Sequence, residues 1–199
     1  MLIVLTSEKQ IADEAAQINL LFENGLERLH LRKPDFTADG YRDLLEAIRP
    51  EFYKRIMLHE HHELCREFKL LGIHIQEQPR LDLGGELGSY VDRFKNEGYK
   101  VSSSFHEKDV IRACEVKFEY VLLSPVFSSI SKQGYKGRGF DVSDLDEFVV
   151  GMGGINAETL QDAFDLGFRG IGVLGGIWNS DNILESFLAI YQKLKTISK

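Results

Sequence analysis

The fold is decided by residues 118–132, which read Phe-Glu-Tyr-Val-Leu-Leu-Ser-Pro-Val-Phe-Ser-Ser-Ile-Ser-Lys. The uninterrupted apolar run 120–123 is typical of a strand that is covered on both faces. Pro125 ends this strand, because proline has no N–H group to donate to a ladder. Beyond it, the hydroxyls and the cation indicate an anion site at a strand end: Ser128, Ser129, Ser131 and Lys132. The alternative is a polar loop after a core strand.

Two further apolar stretches, 149–156 and 170–176, each run into a pair of glycines. Glycine lets backbone N–H groups approach a phosphate closely, because no side chain stands in the way. We therefore expect a phosphate to bind at Gly153, Gly154, Gly175 and Gly176. The alternative is that both pairs only make tight turns between a strand and a helix.

The whole chain alternates between short apolar runs and longer amphipathic ones. Repeated strand–helix units imply a parallel sheet, and eight of them predict an α/β fold of the compact (β/α)8 TIM-barrel type, as one domain over residues 1–199. The alternative, an open doubly wound sheet, expects a glycine-rich turn after the first strand, but residues 6–9 contain no glycine. The predicted strands are 2–5, 28–31, 55–58, 72–75, 100–103, 120–123, 148–152 and 170–174.

Helices are predicted between these strands from apolar periodicity and from capping residues. Ser7 is a candidate N-cap of the first helix, and Thr37 opens the second. The predicted helices are 8–23, 37–48, 62–68, a helix that follows Gly84 and Gly85 and ends at 96, 107–114, a short helix at 143–147, 157–166 and 182–197.

Composition limits the classes of function. The chain has 199 residues with 43% hydrophobic content, enough for one sizeable core, and its formal net charge of −7 without a basic tract argues against nucleic-acid binding. No apolar run reaches membrane-spanning length, and the N-terminal residues do not resemble a signal peptide. Cys65 and Cys114 show no metal or redox spacing, which suits a reducing compartment. We expect a cytoplasmic protein without a membrane partner; a homo-oligomer is compatible with the sequence.

Histidines collect where the predicted strands end. Five of the six lie at or just past such an end, and in a TIM barrel these ends form the active face. A metal hydrolase that uses residues 59–62 together with His74 is one alternative. Neighbouring residues of a strand point to opposite sides, however, so this run cannot bind one ion as a group. We therefore expect no metal site.

Several of these strand ends, taken in order, resemble the thiamine phosphate synthase and TenI superfamily. The matching motifs are Leu31-Arg32, Gly72-Ile73-His74-Ile75, Ser104-Phe105-His106, Ser124-Pro125-Val126-Phe127-Ser128-Ser129-Ile130-Ser131-Lys132 and Gly153-Gly154-Ile155. The resemblance covers essentially the whole chain. It implies a (β/α)8 barrel that acts late in thiamine biosynthesis on a phosphorylated thiazole.

The resemblance implies two alternative reactions. Thiamine phosphate synthases join a pyrimidine diphosphate to a thiazole phosphate with Mg²⁺ on the diphosphate, whereas TenI-type thiazole tautomerases move a proton without a metal. The synthase pattern Asn-Asp-Arg is replaced here by His59-Glu60-His61, and Pro79 stands where a second aspartate is expected. The lysine of the Gln-x-Arg-x-Lys pattern is shifted by one residue to Lys33. Residues 129–132 keep the diphosphate-binding pattern.

These departures favour the tautomerase, without a cofactor. His106 is expected to be the acid or base, because histidine titrates near neutral pH. His30 or His59 is the second acid/base or a ligand contact, and Arg32 faces an anionic substituent. The expected substrate contacts are His30, Arg32, His59, Ser104, Ser129, Ser131 and Lys132. Two alternatives remain open: a thiamine phosphate synthase that uses Mg²⁺, and a non-catalytic binder of thiamine intermediates.

Overall fold

A computed structural model describes residues 1–128 and 137–197. Eight parallel strands pair in chain order and close into a barrel through β1 and β8. This confirms the predicted (β/α)8 fold. The strands are β1 (Leu2–Leu5), β2 (Arg28–Leu31), β3 (Ile56–Leu58), β4 (Gly72–Ile75), β5 (Lys100–Phe105), β6 (Val121–Leu123), β7 (Val149–Met152) and β8 (Gly170–Val173).

The side chains of each strand alternate between two separate cores. On β6, Val121 and Leu123 pack outward against the helices, whereas Leu122 and the preceding Tyr120 point into the barrel. The inner core is small, and its buried members are Ile3, Leu5, Met57, Tyr120, Leu122 and Val150. Polar side chains fill the barrel interior nearer the carboxyl ends of the strands.

Helices surround the barrel. They are α1 (Glu14–Glu23), α2 (Ala38–Ala47), α3 (Leu64–Glu67), α4 (Glu77–Leu83), α5 (Leu87–Asn96), α6 (Lys108–Ala113), α7 (Leu160–Asp165), α8 (Gly175–Trp178) and α9 (Ile183–Ile197), with 3₁₀ turns at Pro50–Arg55 and Gly84–Glu86. Thr37 is the N-cap of α2, as expected, and its hydroxyl accepts the N–H of Gly40. Among the described helices, none is both long and apolar enough to cross a membrane.

Four helix predictions were wrong, and one of them is the omission of α8, a single helical turn at Gly175–Trp178. Helix α1 starts at Glu14 rather than near residue 8, because the Lys9 carbonyl is held by the Lys33 ammonium at 2.8 Å and Asp13 is left-handed, with φ of 54°. The predictions also lacked helix α4, which follows β4 directly. Pro79 sits in the first turn, where backbone N–H groups have no helical partner anyway.

The fourth wrong prediction is the short helix at 143–147. Within residues 137–148 the structure contains turns and no helix. The Asp141 carboxylate accepts both the N–H of Ser143 at 3.0 Å and its hydroxyl at 2.6 Å, which favours a turn over a helix at this point. The connection from β6 to β7 therefore lacks a helix in its described part.

Candidate active site at the carboxyl ends of the strands

A network of charged and amide groups crosses the carboxyl ends of β1 to β4. Arg32, just past β2, forms an ion pair with Glu8 and donates Nε–H to Gln76 Oε1 at 3.1 Å. Gln76 in turn donates Nε2–H to Glu60 Oε1 at 2.8 Å. The side chain of Arg32 is one-quarter exposed. A cation is therefore held at the barrel mouth with part of its surface open to a ligand.

Glu60 anchors this network. Its Oε2 accepts the Tyr41 hydroxyl and, at 3.3 Å, the backbone N–H of Lys33. Burial, and then the contact with Glu60, raises the pKa of Tyr41, which therefore keeps its hydroxyl proton. Both carboxylate oxygens of Glu60 thus accept hydrogen bonds from protein donors.

Lys33 lies away from the site. Its side chain is fully buried, its Nζ is 2.6 Å from Glu14 Oε2 of α1, and it also donates to the Lys9 carbonyl. Lys33 stands one residue earlier than the lysine of the synthase pattern. Its side chain therefore points to the other side of the chain, beneath α1. This lysine therefore stabilises the packing of α1 against the barrel and is not available to a ligand.

His106 and Glu77 form a pair at the ends of β5 and β4. Glu77 Oε2 lies 2.6 Å from His106 Nδ1, and Glu77 Oε1 accepts the backbone N–H of His106 at 3.0 Å. The imidazole is 39% exposed, and its Nε2 has no partner among the residues that the structure describes. A carboxylate that accepts Nδ1–H leaves Nε2 as a base facing solvent or ligand.

Three histidines of the barrel interior lie together beneath this rim. His30, His59 and His74 are at most 6% exposed. His30 Nδ1 is 2.8 Å from His59 Nε2, and His30 Nε2 is 2.5 Å from the Tyr120 hydroxyl. The rings of His59 and His74 stack with centroids 4.2 Å apart. His59 Nδ1 is buried and has no protein partner.

Burial keeps these histidines neutral. Desolvation lowers the pKa of His30 and His59 well below the ordinary value, and repulsion by His74 adds to it in both. Desolvation, followed by repulsion from His62 and Arg32, lowers the pKa of His74 to about 3. At neutral pH each ring therefore has one N–H donor and one acceptor nitrogen.

The residues present fit metal sites poorly. His30, His59 and His74 have nitrogens within 4.8 Å of one another, but five of the six ring nitrogens already form hydrogen bonds with protein groups. At the rim, the Glu60 and Glu77 carboxylates accept protein donors, and Pro79 supplies no oxygen from a side chain. Mg²⁺ prefers carboxylate oxygens, so the described residues do not match a resident two-carboxylate magnesium site.

The glycine pairs meet on the opposite side of the barrel mouth. Gly153 and Gly154 have positive φ angles of 92° and 65°, and a Cβ on Gly154 would lie 2.7 Å from the Ser128 carbonyl oxygen. A Cβ on Gly176, which follows Gly175 in α8, would lie 3.4 Å from the Ile155 carbonyl oxygen. The packing of the loop after β6 thus requires glycine at 154, and phosphate binding at the four glycines stays a prediction.

The predicted site residues fall into separate groups. Arg32 and His106 lie at the rim, on either side of Gln76 and Glu77. His30 and His59 are buried beneath them. The hydroxyl of Ser104, on β5, forms a hydrogen bond of 2.6 Å with His74 Nε2. Ser129, Ser131 and Lys132 lie outside the described residues. All of these assignments remain predictions.

Sequence reasoning missed Glu77 and Tyr120. Glu77 was not identified because helix α4 was not predicted. An acidic residue is favourable in the first turn of a helix, so Glu77 could have indicated that a helix begins here. Tyr120 was taken as one member of an apolar run. Its position in the strand directs the side chain into the barrel. A hydroxyl that is buried there needs a hydrogen-bond partner, and this could have indicated a polar interior.

Comparisons with known proteins agree with this architecture. A family model described as thiamine monophosphate synthase matches residues 1–177. The thiamine-phosphate synthase of Caldicellulosiruptor bescii is 22% identical over 192 residues, covering 92% of this chain and 85% of the relative. The enzyme of the same name from Dictyoglomus turgidum is 25% identical over 176 residues, covering 83% and 76%.

Two solved structures have the same fold as this chain. The thiamine phosphate pyrophosphorylase of Bacteroides thetaiotaomicron has a TM-score of 0.74 and 31% identity, covering 98% of this chain and 97% of that one. The thiamine phosphate pyrophosphorylase of Pyrococcus furiosus has a TM-score of 0.78, covering 98% and 96%, and its 13% identity supports the fold alone.

Proposed function

Because this chain belongs to the thiamine phosphate synthase and TenI superfamily, we propose that it joins a pyrimidine diphosphate to a thiazole phosphate. The observation that carries the proposal is the family match over residues 1–177, with relatives named as thiamine-phosphate synthases. Sequence reasoning preferred the tautomerase and kept the synthase as its alternative. The named relatives support that alternative better.

The site offers complementary groups for two anionic substrates. Arg32 presents a partly exposed guanidinium, whose planar fork suits phosphate or carboxylate oxygens. Gly153, Gly154 and Gly176 lie at the ends of β7 and β8, where backbone N–H groups are the candidate contacts of a phosphate. In this proposal the glycine side holds the thiazole phosphate and the Arg32 side holds the pyrimidine diphosphate.

The diphosphate would enter with its own Mg²⁺, as part of the substrate. This follows from the poor fit of Glu60 and Glu77 to a resident ion, since both carboxylates are engaged by protein donors. Mg²⁺ commonly binds substrate phosphates and keeps several waters. The protein's own contribution is then to position the two substrates and to exclude water.

Thiamine phosphate formation from thiazole phosphate and the magnesium complex of pyrimidine diphosphate tests the proposal. We expect product with wild-type protein and a loss in kcat/KM of roughly 10- to 100-fold in Arg32→Ala, the range for a lost charged hydrogen bond. Arg42→Ala is the control, because Arg42 pairs on the surface with Asp39 and Glu67. Absence of thiamine phosphate with wild-type protein would reject the proposal.

The His106–Glu77 pair favours a second candidate, the thiazole tautomerase. Glu77 orients the imidazole through Nδ1, so Nε2 is directed away from the pair and can take a proton from a ring carbon and return it elsewhere on the ring. This pair joins a partly exposed imidazole to a carboxylate at 2.6 Å. This reaction needs neither a pyrimidine nor a metal.

Aromatisation of a thiazole carboxylate phosphate tautomer in the presence of a chelator tests the second candidate. If His106 is the base, His106→Ala should lower the rate by about 10²- to 10⁴-fold. His106→Ala should slow thiamine phosphate formation much less than Arg32→Ala does. Equal rates of metal-free aromatisation with wild type and His106→Ala would exclude His106 as the base.

A further inference from the structure

A buried arginine lies behind the His106–Glu77 pair. Arg80, in the middle of α4, is 6% exposed, and its Nη2 lies 3.6 Å from Glu77 Oε1. The central carbon of its guanidinium is 4.0 Å from the centroid of the Phe105 ring. Phe105 is fully buried and directly precedes His106 at the end of β5. Arg80 therefore contacts the carboxylate that bonds the imidazole and also the ring that precedes the imidazole in the chain.

Arg80 has fewer hydrogen bonds than its burial would ordinarily require. Its Nε and Nη2 are buried and have no hydrogen-bond partner among the residues that the structure describes. Burial lowers the pKa of Arg80 by desolvation, yet an arginine side chain stays protonated in proteins. Buried charges in proteins are ordinarily paired, and Glu77 is the acidic group that forms an ion pair with this cation. The separation of 3.6 Å is too long for a hydrogen bond, so the attraction is one of charge.

The hydrogen bonds of Glu77 go to His106 instead. Oε2 lies 2.6 Å from His106 Nδ1, and Oε1 accepts the backbone N–H of His106 at 3.0 Å. An ionised carboxylate only accepts hydrogen bonds, so it selects the form of the ring that has a proton on Nδ1. The Glu77 side chain is 31% exposed and could turn toward water. The buried cation on its other side attracts it toward the barrel rim, and solvent screens this attraction weakly because Arg80 is buried.

Arg66 has the same two kinds of partner in a different arrangement. Its guanidinium lies over Phe94, 4.3 Å from the ring centroid, and donates to both oxygens of Glu97 at 2.5 and 2.8 Å. The Arg66 side chain is 36% exposed. Here the carboxylate serves the arginine, as in an ordinary surface ion pair. At Arg80 the cation is buried and the carboxylate serves a histidine, which favours a role in holding that carboxylate in place.

We propose that Arg80 is a positioning residue that holds the Glu77 carboxylate on His106 Nδ1 and thereby keeps the lone pair of His106 Nε2 available to a ligand. The inference rests on the second candidate function, in which Nε2 moves a proton of a thiazole ring. It deepens that candidate by assigning the tautomer of the base to a charge behind the carboxylate. Arg80 itself contacts neither the substrate nor the reacting atoms.

Nitrogen NMR of protein labelled with ¹⁵N-histidine tests the proposal without turnover, at pH 8, where an ordinary histidine is neutral. Arg80→Met removes the charge and keeps an unbranched side chain over Phe105. The ratio of the Nδ1–H tautomer to the Nε2–H tautomer of His106 should fall severalfold in this variant. Arg80→Lys keeps a cation and should restore most of the ratio. Arg66→Met is the matched control and should leave the ratio unchanged.

A second neutral variant keeps the test independent of the folding of one protein. Arg80→Gln also removes the charge, and it should lower the ratio of the His106 tautomers as Arg80→Met does. A ratio equal to that of wild type in the folded neutral variants would overturn the proposal. An equal fall in Arg80→Lys and in the neutral variants would also overturn it, because packing rather than charge would then hold Glu77.

A kinetic arm uses the thiazole carboxylate phosphate tautomer as the probe, in the presence of a chelator. Arg80→Met should lower kcat for aromatisation by about 10- to 100-fold with little change in KM, because a misaligned base costs rate more than binding. The double variant Arg80→Met with His106→Ala should be no slower than His106→Ala alone, since Arg80 acts through that ring. Losses that multiply in the double variant would contradict the proposal. Failure of wild type to aromatise the probe would reject the candidate reaction, and the tautomer ratios would still decide the role of Arg80.

Discussion

Acidification from pH 7 to pH 5 is expected to lower the free energy of unfolding by about 6 kcal/mol, which is about 2 kcal/mol for each of three buried histidines. His30, His59 and His74 stay neutral in the folded barrel because burial lowers their pKa. In the unfolded chain a histidine takes up a proton below about pH 6.5. Protons therefore bind preferentially to the unfolded chain in this range.

The direction of the effect follows from the depressed pKa. The stabilising contribution is complete above the unfolded pKa, and it is lost progressively as pH falls from about 6.5 toward the folded value, which is about 3 for His74. Urea unfolding at pH 7, 6 and 5 measures the loss. His74→Asn removes one titrating ring, so its loss between pH 7 and pH 5 should be about one-third smaller. Equal stability of wild type at pH 7 and pH 5 would contradict neutral burial of the three rings.

Lys33→Met is expected to cost about 3–5 kcal/mol of stability, because it leaves the buried Glu14 carboxylate without its charged partner. The side chains of Lys33 and Glu14 are 0% and 5% exposed. Glu14 Oε1 already lacks a hydrogen-bond partner, and desolvation raises the pKa of this carboxyl although Lys33 opposes the shift. Removing the ammonium would expose the full cost of burying the carboxylate.

The double variant separates a charge effect from a packing effect. Lys33→Met with Glu14→Leu should recover most of the lost stability, since a buried ion pair replaced by apolar side chains is often neutral or stabilising. Lys100→Met is the matched control: its pair with Glu119 is 46% and 38% exposed and should contribute less than about 1 kcal/mol. Thermal and urea unfolding give the three values. A loss below 1 kcal/mol in Lys33→Met would show that the pair is dispensable.

The barrel could be predicted because its information is local and repeated. Each strand is a short apolar run and each helix has its own periodicity, so the order of elements implied the closed parallel sheet. The errors arose where a tertiary contact or a turn outweighed the local pattern. Lys33 reaching Lys9 prevents an early start of α1, and Pro79 is harmless only because it falls in the first turn of α4.

The assignment of a functional site to the polar ends of β2 to β5 stays a prediction, and the structure adds which of these groups contact one another. Which groups pair with one another depends on register between strands: His59 aligns with His74, and Tyr120 faces the ring of His30, through contacts 15 and 90 residues apart. One sequence without structure carries little information on such pairings, and so Glu77 and Tyr120 were not recognised.

The hydrogen bonds around Glu60 also bear on attempts to redesign this protein. An engineer who wished to install a tight magnesium centre would naturally begin with Pro79→Asp. That change alone would leave Glu60 serving as an acceptor for Tyr41, Lys33 and Gln76. Cation affinity would then improve little until Tyr41→Phe released Glu60 Oε2, and a cation that also bound Glu60 Oε1 would displace Gln76, which holds Arg32 Nε. A metal installed here would therefore compete with the hydrogen bonds that position Arg32, the proposed substrate contact.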